Sequence, residues 1–270
     1  MKFVIYFFMD ISIVIVSYQS KGPVLNCLKS IKEAAWSGLS YELIVIDNNS
    51  QDHLGDILAW QYPEVRFFQA GANLGMGAAN NLGIAAARGK YVAVLNPDTL
   101  VFSDTFRLLF DYLEAKPQVG MVGPKQFNPD RSVQTSCYRW HSLLTPLYRR
   151  TFLGSCFGQK DLRRFLMADF DKNTVRDVDW LLGSFLFIRA AALKAVGNFD
   201  PRFFLYFEDT DLCRRFRQAG WRVVYQPAAQ IIHNHSRESA RTPWYKFITS
   251  RTTRAHVVSW LKYLLKWRFK

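Results

Sequence analysis

Residues 91–99 read YVAVLNPDT, five apolar residues running without a break into Asn96-Pro97-Asp98. Such a run reads as a strand buried on both faces, and Pro97 cannot continue a central strand because it lacks the amide hydrogen the ladder needs. Asp98 is therefore expected at a strand's carboxyl end. In open α/β sheets ligands bind at that edge, and a carboxylate there is placed to hold a divalent cation on a phosphate. Asn-Pro-Asp is equally ordinary turn chemistry. The functional reading gains weight because other strands of the chain also end in polar, ligand-competent residues.

Ile11–Ser17, ISIVIVS, is a β-branched run of the kind buried on both faces of a parallel sheet, and Tyr18-Gln19-Ser20-Lys21-Gly22-Pro23 ends it. From Val24 onward Leu25, Leu28, Ile31 and Ala35 keep helical spacing. The next strand, Tyr41–Ile46, runs into Asp47-Asn48-Asn49-Ser50. A helix over 54–62, a short strand over 65–68 and a glycine-rich turn at 71–77 opening another helix lead to the Tyr91 strand. This alternation is the mark of βαβ units. The chain is thus predicted to be α/β, with residues 11–100 forming a nucleotide-binding half on a parallel sheet.

Beyond Asp98 the pattern predicts a helix over 105–116 and a strand over 119–124, and then loosens. Residues 125–175 mix Arg131, Arg139, Arg149, Arg150, Lys160, Arg163 and Arg164 with Tyr138, Trp140, Tyr148 and Phe152. The plain reading is a solvated face; a docking surface for a phosphorylated acceptor is the sharper one. Val178–Arg189 is strand-like but interrupted by Gly183, which often marks close approach of a ligand or another backbone. A short helix over 190–196 follows, then the aromatic run Phe203–Phe207 leading into Glu208-Asp209-Thr210-Asp211, a helix ending at Gly220 and a short strand over 223–225.

Three acids in four residues at a helix start oppose the macrodipole and can cap free N–H groups. That does not account for crowding them beside aromatic rings, which raises the proton affinity of one member and suits it to act as a general base. His233 and His235 alternate along a strand-like segment, so their side chains point to opposite faces and at most one joins Asp98 on a cation.

With 270 residues, 49% of them apolar, the chain can bury a full core. Its four cysteines form no CxxC pair, which suggests neither a zinc site nor a disulfide framework and fits a reducing cytosolic compartment. Residues 1–10 imitate the front of a signal peptide without a cleavage site and are expected to lie outside the fold. No apolar run reaches the roughly 18 residues that a membrane span needs. The net charge of +13 is uneven, since residues 244–270 carry four lysines, three arginines and no acid.

Two rival classes follow from these features. The Gly75-Met76-Gly77 turn, with Asp98 downstream, imitates a dinucleotide fingerprint and would make the chain an NAD-binding protein, but Asn80 stands where the third glycine belongs. The basic balance would suit nucleic acid, but its concentration at one end argues against that partner.

Val14–Tyr18, Val45–Ser50, Asn73-Leu74-Gly75 with Asn80-Asn81, Leu95–Asp98, Gly183-Ser184 and Phe204–Leu212, in this order, resemble the family 2 glycosyltransferases, and more narrowly the rhamnosyltransferase-like branch. The resemblance covers about residues 11–240. It implies a GT-A fold with a mixed central sheet, residues 101–240 being the acceptor-binding half, and inverting transfer from a nucleotide sugar, dTDP-rhamnose being the expected donor and a UDP-sugar the alternative. It assigns Ser17, Tyr18, Asp47, Asn49, Asn73, Gly75, Asn96 and Asp98 to the donor. Asp98 becomes the metal-binding acid for Mg²⁺ or Mn²⁺, with Asn96 in place of the first aspartate of the family's Asp-x-Asp motif and His233 completing the site. Asp209 becomes the base with Glu208 and Asp211 beside it, and Trp180, Gly183, Ser184 and Tyr206 fall on the acceptor side. The acceptor is expected to be a saccharide on polyprenyl diphosphate, used in making a cell-surface polysaccharide.

Residues 241–270 are expected to form a basic amphipathic tail. Val257, Val258, Leu261, Leu264 and Leu265 keep helical spacing, with Trp260, Tyr263 and Trp267 among Lys262, Lys266, Arg268 and Lys270. Such a helix either docks on the domain's own core or lies in the headgroup region of an anionic membrane. The latter places the enzyme peripherally on the inner face of the cell membrane.

Overall fold

The computed structural model describes residues 9–149, 151–234 and 250–268. Arg150, Trp244 and His235 therefore lie outside the described residues, as do 1–8 of the expected extension.

Strands β1 (Met9–Ser17), β2 (Tyr41–Asp47), β3 (Arg66–Gln69) and β4 (Gly89–Leu95) pair in parallel in the order β3-β2-β1-β4. Between them run α1 (Lys21–Lys32), α2 (Leu54–Gln61) and α3 (Met76–Ala86). The strands read as continuous apolar runs because both faces are covered. Ile11, Ile13, Ile15, Tyr91, Ala93 and Leu95 face one core with α1 and α2, while Val14, Val16, Val92 and Val94 face the other. Strand β1 begins at Met9, so two residues of the expected extension belong to the sheet.

The second half of the sheet departs from the βαβ rhythm. Short β5 (Thr99–Val101) and α4 (Thr105–Ala115) lead to β6 (Val119–Phe127), followed by β7 (Val133–Gln134) and β8 (Cys137–Tyr138). Helices α5 (Thr145–Tyr148), α6 (Leu153–Cys156) and α7 (Gln159–Phe165) fill the stretch that carried no clear pattern. After β9 (Arg176–Asp177) and β10 (Trp180–Leu181), β11 (Phe185–Arg189) inserts antiparallel between β4 and β6. Helices α8 (Ala190–Val196) and α9 (Glu208–Gln218) precede β12 (Arg222–His233). The order continues β4-β11-β6-β12-β5, so the central sheet is mixed.

β12 corrects one expectation. The strand does not stop at Tyr225, because a register shift between Gln226 and Gln230 accommodates Pro227 as an irregularity and pairing resumes through His233. The resumed stretch pairs with β5, setting His233 opposite Thr99, beside Asp98.

Helix α10 (Arg251–Trp267) starts at Ser250, whose hydroxyl accepts the Thr253 amide hydrogen at 3.3 Å. It packs on the 203–207 segment and α9. Tyr263 and Trp267 are buried with Phe203 and Phe207, so these two aromatics are not the interfacial belt that the sequence suggested. Val258, Leu261 and Leu265 remain exposed on the helix. No helix among the described residues is long and apolar enough to cross a membrane.

Candidate active site

The nucleotide half ends in a knot of side-chain to backbone bonds. Asp47 accepts the Ser50 amide hydrogen at 3.1 Å through either carboxylate oxygen, in a turn where Asn49 takes φ +68°. Ser17 is buried and its hydroxyl lies 3.0 Å from that of Ser20, while Tyr18 is exposed. Asn48 donates to Asn73 Oδ1 at 3.0 Å and accepts from the Leu74 amide at 2.9 Å, tying the end of β2 to the turn before α3. Beside Asp47 lies a cavity of about 420 Å³, lined among others by Ser50, His53, Phe67 and Gln69.

Gly75 joins this half to the acidic segment. Its φ is +81°, and a Cβ there would lie 2.3 Å from the Phe204 carbonyl oxygen, so only glycine allows the approach. That carbonyl accepts the Met76 amide hydrogen at 2.8 Å. Asn81, one turn along α3, makes a reciprocal pair of bonds with the Phe199 backbone at 2.8 and 3.0 Å.

At the end of β4 the polypeptide turns through Asn96-Pro97-Asp98. The Asn96 amide donates to the Ser184 carbonyl at 2.9 Å, and the Asn234 amide donates to the Asp98 carbonyl at the same distance. Asp98 Oδ1 is buried, accepts no hydrogen bond among the described residues and lies 3.3 Å from His233 Nε2. His233 Nδ1 is 2.7 Å from Gln134 Oε1, and the Gln134 amide nitrogen donates to Asn128 Oδ1 at 2.8 Å. Oε1 is thus the accepting end, and Nδ1 carries the proton. With Nδ1 engaged by Gln134, Nε2 is the ring nitrogen that faces Asp98, the orientation that a hydrogen-bond partner gives a metal-ligating histidine. One carboxylate oxygen and one imidazole nitrogen fit a divalent cation whose other ligands are phosphate oxygens and water. Gln134 was not anticipated from the sequence, since nothing in β7 marks it as a neighbour of His233.

The acids of α9 sit in a different setting. Tyr206 and Phe207 precede it with φ of +68° and +69°, a conformation costly for aromatic residues that only the surrounding packing sustains. Glu208 and Asp209 are buried. Asp209 Oδ2 accepts the Gly183 amide hydrogen at 2.9 Å and Oδ1 accepts that of Thr210 at 2.7 Å. Glu208 Oε2 has no hydrogen-bond partner among the described residues. Burial, and next the charge of Asp209, pushes the Glu208 carboxyl up to about 8. Burial also raises Asp209, against the pull of its hydrogen bonds from Gly183 and Thr210. The pair therefore retains a proton near neutrality, with the charge on Asp209, the better-solvated member by hydrogen bonding.

Asp211 is fully buried but neutralised. It accepts from Arg215 Nε at 2.9 Å and Trp267 Nε1 at 2.9 Å, and Lys266 Nζ lies 2.6 Å away. It anchors α10 to α9 and offers no lone pair toward the cleft comparable with that of Asp209. The terminal helix as its partner was not legible in the sequence.

Residues expected on the acceptor side divide. Gly183 lies against Asp209, where a Cβ would stand 3.2 Å from Asp209 Cβ, and Tyr206 is half-buried against His256. Trp180 is buried, stacked on Tyr138 at 4.2 Å, and its indole donates to the Arg139 carbonyl at 3.0 Å. Ser184 is buried with its hydroxyl on Gln126 at 2.8 Å. These two brace the site and present no free polar group to an acceptor. The Gly183-Ser184 dipeptide thus holds both acidic elements, Asp209 through one amide and the Asp98 turn through the next carbonyl.

Residues 9–255 match the family model described as glycosyltransferase like family 2. The chain is 33% identical over 251 residues to the N-acetylglucosaminyl-diphospho-decaprenol L-rhamnosyltransferase of Mycobacterium tuberculosis (strain CDC 1551 / Oshkosh), covering 86% of this chain and 78% of that protein. It is 27% identical over 265 residues to rhamnosyltransferase WbbL of Escherichia coli (strain K12), covering 95% and 93%. Among solved structures, GalNAc-T7 with UDP, GalNAc and Mn²⁺ superposes with a TM-score of 0.64 at 15% identity, over 84% of this chain and 44% of that one. At that identity the likeness concerns the fold, and the shared architecture is GT-A. The cleft acids, the mixed sheet and these matches together place the chain in glycosyltransferase family 2, as a glycosyltransferase.

Proposed function

We propose that the enzyme transfers L-rhamnose from dTDP-rhamnose, with inversion, to a hydroxyl of a saccharide carried on polyprenyl diphosphate, in the assembly of a cell-surface polysaccharide. The observation that carries the reaction type is the Gly183-Ser184 bridge, which sets a buried, proton-accepting carboxylate beside a carboxylate turned toward an imidazole. The choice of sugar and carrier is supported by the names of the two relatives, both rhamnosyltransferases.

The nucleoside is assigned to the ends of β1 and β2, with Tyr18 exposed at the rim and Asp47 beside the cavity. Asn73 and the Gly75 turn hold the wall between the donor and α9. In the transfer the acceptor oxygen attacks the anomeric carbon, the bond from that carbon to the diphosphate oxygen breaks, and the nucleoside diphosphate leaves with the bonding pair. Asp209 takes the hydroxyl proton. The Gly183 and Thr210 amides keep the carboxylate pointed while Glu208, still protonated, adds no second charge. Asp98 and His233 would hold Mg²⁺ or Mn²⁺, which supplies charge neutralisation for the departing diphosphate. An inverting displacement needs the base and the leaving group on opposite sides of the anomeric carbon, and the dipeptide between the two acidic elements gives them fixed separate places.

We assign the enzyme to the inner face of the cell membrane as a peripheral protein. The exposed aliphatic face of α10 supports this, together with the seven cations and no acid of residues 244–270. The test is transfer to a short-chain GlcNAc-diphosphate-lipid analogue, with dTDP-rhamnose compared against UDP-sugars and with Mn²⁺ compared against chelator. A rhamnosylated product of inverted anomeric configuration is expected; turnover only with a UDP-sugar would overturn the donor, and a retained configuration the mechanism.

A further inference from the structure

The helical insert α5–α7 displays its large apolar side chains outward. Leu143 is 69% exposed, Phe152 74% and Phe157 76%, and Leu144 and Leu147 are exposed too. Single exposed hydrophobics are ordinary, whereas five within fifteen residues make a patch that a folded chain in water keeps only for a partner. The insert is not loosely packed. Thr145 donates to Asp161 at 2.6 Å, binding the start of α5 to α7, and Phe165 anchors the far end in the core beneath Tyr138.

The charge around the patch is mainly positive, though Arg163 pairs with Asp169 and Arg139 with Asp179 at 3.4 Å. Between Arg139 and Arg164 the chain carries six cations and a single acid, Asp161, whose carboxylate is occupied by Thr145 and lies 3.5 Å from Arg164. The residues that lead into the insert lie beside the terminal helix. His141, at the entry to the insert, packs on Phe207 at 5.0 Å and on Tyr263 of α10 at 6.4 Å. Arg214 lies between the same elements, 5.7 Å from the Trp140 ring and 4.4 Å from the Trp267 ring. The insert and α10 therefore meet along a seam next to Phe207, the residue before Glu208.

We propose that α5–α7 and the outward face of α10 form a two-part surface that inserts Leu143, Phe152 and Phe157 into an anionic bilayer, with the insert's arginines on lipid headgroups. This rests on the reading that the acceptor is lipid-linked, and it assigns membrane contact to a second element besides the terminal helix. Apolar rings flanked by cations with no free acid are the composition that partitions into the headgroup region of such a membrane, where apolar burial and charge attraction add. A surface bordering Phe207 sets the acceptor's diphosphate at the depth of the arginines and its sugar near Asp209.

The structure supplies a probe. Cys156 is exposed between Phe152 and Phe157, whereas Cys27, Cys137 and Cys213 are buried, so a thiol-reactive environment-sensitive dye reports from within the patch. With vesicles of equimolar phosphatidylglycerol and phosphatidylcholine the dye is expected to shift to the blue, and the protein to co-sediment. Phe152→Ser with Phe157→Ser should lower the vesicle partition coefficient about tenfold or more, while Leu265→Ser on α10 lowers it independently. Rhamnosyl transfer to a lipid-free acceptor should be unchanged in both variants. Undiminished partitioning of the Phe variant overturns the proposal, as does equal binding to phosphatidylcholine alone. A dimer that the Phe substitutions dissociate, with vesicle binding unaltered, would replace the bilayer by a second copy of the chain. Unfolding of the Phe variant would show the rings to be packed and overturn it too. Failure of the wild-type enzyme to transfer rhamnose leaves the vesicle result to stand or fall by itself, so the two readings fail separately.

Discussion

At the end of β4 a carboxylate faces an imidazole, and at the start of α9 two carboxylates face aromatic rings and each other. Both sites are acidic and touch neighbouring residues of one dipeptide, but they are poised for different positive charges. Around Asp98 the Gln134–His233 bond engages Nδ1 and leaves Nε2 facing Asp98 Oδ1 across 3.3 Å, a pairing of donor atoms suited to a cation. Around Asp209 no basic side chain among the described residues bonds to the carboxylate, which is held by the amides of Gly183 and Thr210, and burial favours a proton. Asp211 sharpens the contrast. It lies on the same helix turn, yet Arg215, Lys266 and Trp267 satisfy it, so its charge is neutralised where that of Asp209 is kept available. A cluster read as three acids is thus one carboxylate proposed as the base, one protonated neighbour and one structural anchor.

The largest effect expected to test this division is on the proton side. Asp209→Asn keeps the shape but leaves only one oxygen to accept from the Gly183 and Thr210 amides and removes proton acceptance, so kcat should fall about 10³-fold, within the range for loss of a general base. Binding of dTDP-rhamnose, measured by calorimetry, should change little. Wild-type turnover in this variant would break the comparison, since the α9 site would then have no distinct task.

A smaller effect is expected on the cation side. Gln134→Leu keeps the bulk of the side chain but removes the acceptor that fixes the His233 tautomer. Loss of such a second-shell partner typically costs 10–100-fold in metal affinity, or about 1.4–2.7 kcal/mol. Mn²⁺ binding in the presence of dTDP, followed by the loss of the free-ion electron paramagnetic resonance signal, reads this directly. An unchanged dissociation constant would show that His233 does not bind the ion through Nε2.

The sequence was most informative where periodicity and termination agree. Each of β1, β2 and β4 is an apolar run closed by polar residues, and parallel strands buried on both faces have to look this way, so the nucleotide half was legible almost to its boundaries. Asp98 and the α9 acids stood out because proline and crowded charge are local signals. Gln134 and Lys266 did not, because their roles exist only through contacts 99 and 55 residues away in the chain. Pro227 misled for a physical reason: proline ends a regular strand, but β12 absorbs it in a bulge and so carries His233 to Asp98. The aromatic side chains of α10 misled differently. Their amphipathic character suits a bilayer interface and a buried carboxylate alike, and the Trp267 indole proton is taken by Asp211.

The smallest effect expected lies in the stability of the proton site as pH changes. Glu208 is pushed up to about 8 from an ordinary value of 4.5, first by burial and then by the charge of Asp209. An acid raised on folding binds its proton more tightly in the native state than in the unfolded chain. Stability from that proton is complete below the unfolded value and is lost progressively as pH rises from about 4.5 to about 8. Glu208→Gln carries no titrating proton there, so its Tm should decline less steeply over this interval, by about 3 °C or more between pH 5.5 and 8.5. Asp209 is raised in the same direction and remains in both proteins, so part of the decline persists in the variant. The acidic limb of kcat/KM, which follows ionisation of Asp209, should hardly move, because Glu208 is still neutral when Asp209 loses its proton. Parallel Tm profiles for the two proteins would mean that Glu208 is ionised at neutral pH, and the α9 turn would then resemble the Asp98 site in needing a cation.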